Sequence, residues 1–398
     1  MTGAEECLFS AELLSQPARA RLDYFKALTI KHPSLDAAYT DVCGAIHDGA
    51  PGSLIFVQGP AGVGKTTLLQ LIEKLLTEEM LPELERDAER VAVVRLAAVA
   101  PEAQGFNWKE YFRRLLLALA EPMVDRKISK ARTGGDDAKN DPRHQAALDA
   151  ASHTSSANLR YASEQALRRR RPCAVLIDDA QHLAITGSGR KLLDQLNTLK
   201  SIADLTQTTH VLAGTYELTA FRNLSGQLSR RSVDVELTRY RAADRAERQA
   251  FVSALWTFQR HLPLREMPDM VKNWDYFYER SIGCVGILKD WLTRSLALAL
   301  RSGKGSLSER ELRARALTTA QCAKLLAEAM EGEREMSDTP HARSELRLGL
   351  GLGADGKSAC DTVLQASSPP LRKPRAVGRR RPVRDTVGVE NTSPSRHG

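Results

Sequence analysis

Residues 59–66 read Gly-Pro-Ala-Gly-Val-Gly-Lys-Thr and follow the apolar run Leu54-Ile-Phe-Val57. The pattern G-x-x-x-x-G-K-[ST] after a strand-like run is a phosphate-binding loop. Gly59, Gly62 and Gly64 let successive backbone N–H groups face phosphate oxygens, with Pro60, Ala61 and Val63 filling the turn between them. The helix expected to begin near Lys65 adds its N-terminal dipole. Lys65 reaches the β and γ phosphates, Thr66 offers its hydroxyl to Mg²⁺, and Thr67 completes the set. The chemistry predicted is the binding of a nucleoside triphosphate.

A second run adds hydrolysis. Cys173-Ala-Val-Leu-Ile177 has strand length and ends in Asp178-Asp179. Carboxylates at the C-terminal end of a parallel strand lie where open α/β sheets bind ligands. Asp178 fits the Walker B role, completing the Mg²⁺ shell opposite Thr66, and Asp179 stands where a general base polarises the attacking water. Aspartate is one methylene shorter than glutamate, so slow turnover is expected. A third run, His210-Val-Leu-Ala213, ends in Gly214-Thr215, and Thr215 is placed to sense the γ-phosphate. The plainer readings are an ordinary strand-end acid pair and a threonine that only shapes a turn.

These residues need a sheet to align them. Val91-Ala-Val-Val94, short and apolar, and Ser232-Val-Asp-Val-Glu-Leu237 supply two further strands. Five strands interleaved with helical segments predict an α/β fold, a largely parallel sheet with helices on both faces. Residues 1–50 read as an N-terminal helical segment and 51–240 as the nucleotide-binding core, in which 122–153 form a polar surface excursion. Helical patterning is predicted over Ala18–Leu28, Leu35–Ile46, Thr66–Leu76, Trp108–Leu119 and Asn158–Arg170. Residues 241–330 read as a helical lid, with helices over Arg245–Phe258, Trp274–Arg280, Gly286–Leu300 and Ser308–Met330. Residues 331–398, rich in Gly, Pro and Arg, read as a flexible tail with little fixed structure.

The 398 residues carry a net charge of +8, which makes a polyanionic partner plausible. Six scattered cysteines form no CxxC pair, which argues against a zinc site or a disulfide framework and suits a reducing cytoplasm. No apolar run reaches membrane-spanning length, so no membrane partner is expected. The expected localisation is cytoplasmic.

A P-loop, a Walker B strand, a Thr-tipped sensor strand, paired arginines and a helical lid together resemble an AAA+ ATPase, a P-loop NTPase. The segments Phe106-Asn-Trp-Lys-Glu-Tyr-Phe-Arg-Arg-Leu-Leu-Leu-Ala-Leu-Ala-Glu-Pro122, Val175-Leu-Ile-Asp-Asp-Ala-Gln-His-Leu183 and Leu212-Ala-Gly-Thr215 resemble the TniB/TnsC family of transposition regulators, including those of CRISPR-associated transposons. The resemblance covers roughly residues 20–300. It implies ATP and Mg²⁺ as cofactors, and a homo-oligomer, filament or ring, on duplex DNA. It further implies a DDE-type transposase and a TniQ-like target selector as partners. Many relatives carry glutamate where this chain has Asp179.

By position, the resemblance implies an arginine acting in trans on the neighbour's γ-phosphate. Arg231, or its neighbour Arg230, matches that place, since a guanidinium fork suits phosphate geometry. Lys289 stands nearest to the sensor 2 arginine, or is a plain solvent-facing lysine. Lys109, Arg113 and Arg114 on one helix, followed by Lys127, Lys130 and Arg132, form the first candidate surface for DNA, or else an ordinary solvated face. Arg168-Arg-Arg-Arg171 and the basic stretch Arg372–Arg384 are further cationic runs. Competing classes are a helicase-loader-like or other AAA+ ATPase, and a P-loop scaffold that binds ATP with little hydrolysis.

Overall fold

A computed structural model describes residues 7–100, 105–124, 155–184, 190–222, 232–303 and 305–352. Five parallel strands form one sheet in the order β2-β3-β4-β1-β5, where β1 is Leu54–Gln58, β2 Val93–Ala97, β3 Ala174–Asp178, β4 Thr209–Gly214 and β5 Ser232–Glu236. The register sets Gln58 of β1 beside Gly214 of β4 and Glu236 of β5, and Ala97 of β2 beside Asp178 of β3. The carboxyl ends of β1, β3 and β4 therefore share one rim of the sheet, and their tips carry the P-loop, the acid pair and Thr215. The α/β class with a largely parallel sheet is the one predicted.

Strands β1, β3 and β4 are buried along their whole length, as continuous apolar runs require when helices cover both faces. Alternate side chains divide between two cores. Phe56, Val175, Ile177 and Leu212 pack with α4 (Trp108–Ala118), α5 (Ser156–Arg170) and α6 (Arg190–Thr206). Ile55, Val57, Leu176 and Val211 pack with α2 (Pro33–Asp48) and α3 (Lys65–Arg86). A third core holds α1 (Ala18–Ala27), α7 (Arg245–His261), α8 (Trp274–Ser281), α9 (Val285–Arg301) and α10 (Glu309–Arg315). The N-terminal segment is thus shared out, since Phe25 of α1 joins the lid core and Val42 of α2 joins the sheet core.

Three predicted boundaries move. Strand β2 lies at Val93–Ala97 rather than 91–94, because Arg95 breaks the apolar run yet lies toward solvent, its Nε donating to Glu73 Oε2 at 2.5 Å. Helix α3 runs to Arg86, well past Leu76, and accommodates Pro82. The single helix expected over 308–330 is two, α10 and α11 (Thr319–Met336), each opened by a reciprocal capping box, Ser308 with Glu311 and Thr318 with Gln321. The chain past residue 331 is not without fixed structure either. Helix α11 extends to Met336, and a separate unit from Asp338 contains α12 (Pro340–Gly349), opened by Thr339, whose hydroxyl accepts from Ala342 N. Among the described residues no helix is long and apolar enough to cross a membrane.

Trp291 anchors the lid core. It is fully buried, its ring lies 4.9 Å from that of Phe277, and its Nε1 donates to the Leu312 carbonyl at 2.8 Å. Trp291→Ala is expected to cost roughly 3–5 kcal/mol of stability in a urea titration, the usual range for an aromatic deletion from a packed core.

Candidate functional site

The P-loop leaves β1 at Gln58 and closes at the start of α3. Gly62 and Gly64 have φ of +74° and +120°, conformations open to glycine, so the loop can turn its backbone amides inward. The Lys65 ammonium donates to the carbonyls of Gly59 and Pro60, each at 2.8 Å. Burial lowers its pKa to about 8, and the opposing pull of the Asp178 and Asp179 carboxylates is smaller. A buried cation at the loop suits a polyanion, and the second core seals the loop from below through Val63 and Leu68.

Asp178 ends β3 and is buried, with Oδ1 accepting from the Asp179 amide at 3.0 Å. Asp179 is exposed and lies in the left-handed region with φ of +51°, a conformation that the short polar Asp side chain tolerates at some strain. Thr215 follows β4, and its Oγ1 is buried without a hydrogen-bond partner in the structure. An orphaned hydroxyl beside the P-loop is what a phosphate oxygen would satisfy. The residues present fit a triphosphate and its metal. Thr66 and Asp178 are the side chains that would hold Mg²⁺.

Gln181 is a residue that sequence reasoning missed. Its Nε2 donates to Asp179 Oδ1 at 3.2 Å, and its Oε1 accepts from the Thr215 amide at 3.3 Å. One amide therefore fixes both the acid and the sensor turn. The signal was available, as a polar residue two positions after the acid pair, but the link to Thr215 is purely tertiary.

Other predicted residues fall elsewhere. Lys289 lines a groove with Thr29, Ile30, Gly64, Thr67 and Gly286, on the α1 side of the P-loop, and its Nζ donates to the Lys26 carbonyl at 2.9 Å. It ties α1 to the lid. Lys109 and Arg114 are exposed on α4, and Arg114 Nε pairs with Glu110 at 2.7 Å while Arg113 is half-buried. The run Arg168–Arg171 is committed internally. Arg169 and Arg170 both pair with the buried Glu121, Arg171 bonds Asp87 at 2.7 Å, and Arg168 bonds the Leu205 carbonyl at 3.0 Å. Arg230, Arg231, Lys127, Lys130, Arg132 and the basic stretch 372–384 lie outside the described residues. The Phe106-Asn-Trp108 motif has a local structural role. Asn107 caps α4 by accepting from Glu110 N, and Phe106, Trp108, Tyr111 and Phe112 form an aromatic cluster.

A parallel sheet in this order, with a P-loop after β1 and an acid pair ending β3, is the fold of an AAA+ P-loop NTPase. Residues 49–221 match the model of the AAA domain, and the protein is an ATP-hydrolysing enzyme. It is similar to the ORC2 protein of Aeropyrum pernix in its ADP form, at 14% identity and a TM-score of 0.48, over 74% of this chain and 71% of that one. It is also similar to the Aeropyrum pernix ORC1 protein in complex with DNA, at 15% identity and a TM-score of 0.46, over 75% and 68%. A third likeness is to a Walker-type ATPase of Pyrococcus abyssi, at 15% and 0.43, over 79% and 80%. No curated protein matches the chain. The narrower expectation is corrected here. The model that matches is that of the general AAA domain, so the terms TniB, TnsC, transposition, DNA recombination and CRISPR-associated transposon do not stand. The DDE-type transposase and TniQ-like selector lose their support with them.

Two outcomes are expected. Nucleotide bound against Lys65 favours its ammonium, so affinity should be level below about pH 8 and fall by up to about tenfold per pH unit above it. Calorimetric titration with ATP from pH 7 to pH 9.5 checks this. Gln181→Ala should lower kcat by about 10- to 100-fold through misplacement of Asp179 and Thr215, with the ATP dissociation constant unchanged.

Proposed function

We propose that this chain couples ATP hydrolysis to assembly on duplex DNA, in the manner of a helicase-loader-like AAA+ ATPase. The observation that carries the nucleotide part is the meeting, on one rim of the sheet, of Lys65, the Asp178–Asp179 pair and the orphaned Thr215 hydroxyl. The DNA part is supported by the net charge of +8 and the basic exposed side of α4. Oligomerisation is supported by the paired arginines Arg230 and Arg231 that precede β5 in the sequence, the place where the AAA+ resemblance implies an arginine acting in trans.

In this reading the P-loop amides and Lys65 hold the phosphates, while Thr66 and Asp178 hold Mg²⁺, which when bound neutralises charge on the phosphate oxygens. Asp179 accepts a proton from the attacking water as its oxygen bonds the γ-phosphorus and the bond to the β–γ bridging oxygen breaks, giving ADP and phosphate. Thr215 donates to a γ-phosphate oxygen. An arginine of a second copy, Arg231 or Arg230, steadies the charge that develops. The short reach of Asp179 makes turnover slow, and Gln181 holds the carboxylate in place. Contacts to DNA run to the phosphate backbone, through Lys109 and Arg113 with Lys127, Lys130 and Arg132, and carry no base sequence.

The test is binding to a fluorescent duplex with ATP or ADP, together with electron microscopy of the mixtures. Assemblies are expected with ATP and not with ADP, and Lys65→Ala should abolish both assembly and hydrolysis. The double variant Lys109→Ala/Arg113→Ala should lessen the slope of log K against log salt by about 2, independently of sequence. A native protein that stays monomeric with ATP and duplex together would overturn the reading.

A further inference from the structure

One set of charged groups near the P-loop takes no part in the chemistry above. After β5 the chain runs along the loop, with Leu237 N donating to the Gln58 carbonyl at 2.8 Å and Tyr240 N donating to Gly283 O at 3.0 Å. Arg239 is thereby held between the start of the P-loop and Cys284, the residue that opens α9. Burial pushes the Cys284 thiol up, and the Arg239 guanidinium and the Lys65 ammonium both pull it back down. Arg239 is itself buried, at 8% exposure.

Its charge is taken up by α11. Arg239 Nη2 donates to Glu333 Oε2 at 3.2 Å and Nε lies 2.8 Å from Oε1 without forming a second hydrogen bond, an ion pair with side chains only 10% and 16% exposed. The same helix presses on the sensor turn. A Cβ added to Gly332 would lie 2.0 Å from the Tyr216 ring, and Thr219 Oγ1 reaches the sulfur of Met336 at 4.0 Å. Between α11 and the P-loop rim lies a cavity walled by Pro60, Ala61 and Thr215 on one side and Glu328, Glu331 and Glu335 on the other. An acidic helix therefore stands across from a loop built for a polyanion, and its hold there includes a buried guanidinium, a group that pairs with phosphate as readily as with carboxylate.

Resting on the reading that the P-loop takes a triphosphate, we infer that Arg239 is a further phosphate-binding residue masked by Glu333, and that α11 is a clasp which nucleotide opens. Phosphate and Glu333 compete for one guanidinium. Whatever binds Arg239 more tightly in the open arrangement shifts the helix by that difference in affinity. A purely structural ion pair would behave otherwise, since removing either partner would loosen the helix alike and affect nucleotide in the same direction.

The full chain, with Mg²⁺, is titrated with ATP by calorimetry as native protein, Glu333→Gln, Arg239→Gln and Lys65→Ala, and amide hydrogen exchange of residues 319–336 is followed with and without ATP. Glu333→Gln keeps an acceptor for the guanidinium but removes the competing charge, and should bind ATP about fivefold or more tightly. Arg239→Gln should bind about tenfold or more weakly. In the native protein ATP should speed exchange across α11 at least threefold, and this arm needs no variant to fold. Equal shifts of the two variants in one direction, no shift in either, or α11 equally or better protected with ATP would overturn the clasp while leaving the P-loop reading intact. If the native protein binds no ATP, or binds it no better than Lys65→Ala, the P-loop reading fails and the clasp with it.

Discussion

The P-loop and the lid touch backbone to backbone, and the positions of the other parts of the site follow from that contact. Ile287 N, in the first turn of α9, donates to the Gly62 carbonyl at 3.0 Å. A Cβ on Gly286 would lie 2.4 Å from that same oxygen, so no other residue fits there without moving the helix or the loop. The bond satisfies an amide that α9 would otherwise leave open at its N-terminus, and it fixes the lid at the distance of a single hydrogen bond from the phosphate-binding turn. A change in the loop is therefore a change at α9, with no flexible side chain to absorb it.

The lid is stiff enough to carry such a displacement. Trp291, Phe277, Phe258 and Phe251 fill its core, and Phe25 of α1 is buried among them. Lys289, donating to the Lys26 carbonyl, adds a polar tie between α9 and α1. On the opposite side of the loop the sheet rim is equally constrained. Gln181 joins Asp179 to the Thr215 turn, and Asp178 holds the Asp179 amide, so the three residues are linked by hydrogen bonds. Asp179 in a left-handed conformation is strain of the kind that such over-determined sites maintain.

Charge is distributed unevenly around this frame. The densest cationic run, Arg168–Arg171, is engaged within the molecule by Glu121, Asp87 and a backbone carbonyl, and it secures the end of α5 to its neighbours. Density of charge in the chain is thus a poor guide to where charge is free. The helix α4 face, far less conspicuous as a run, leaves Lys109 exposed while its other side is buried in the first core.

The sequence by itself determined the elements whose signal is local. The P-loop, the buried strands at 54–58, 174–178 and 209–214, the acid pair and the helical lid could all be read because glycine spacing, apolar runs and strand-end carboxylates depend on neighbours in the chain. The split of the expected 308–330 helix was legible too, since Ser308 with Glu311 and Thr318 with Gln321 are capping boxes written in the primary structure, although the apolar periodicity masked them. Only the tertiary structure decided the rest. It placed Lys289 against α1, made Arg168–Arg171 an internal network, brought Gln181 between Asp179 and Thr215, and paired Arg239 with Glu333. Each of these depends on which groups from distant parts of the chain become close, and on how far water is excluded between them. Those two quantities set the strength of a charge or a hydrogen bond, and residue type and spacing along the chain do not contain them.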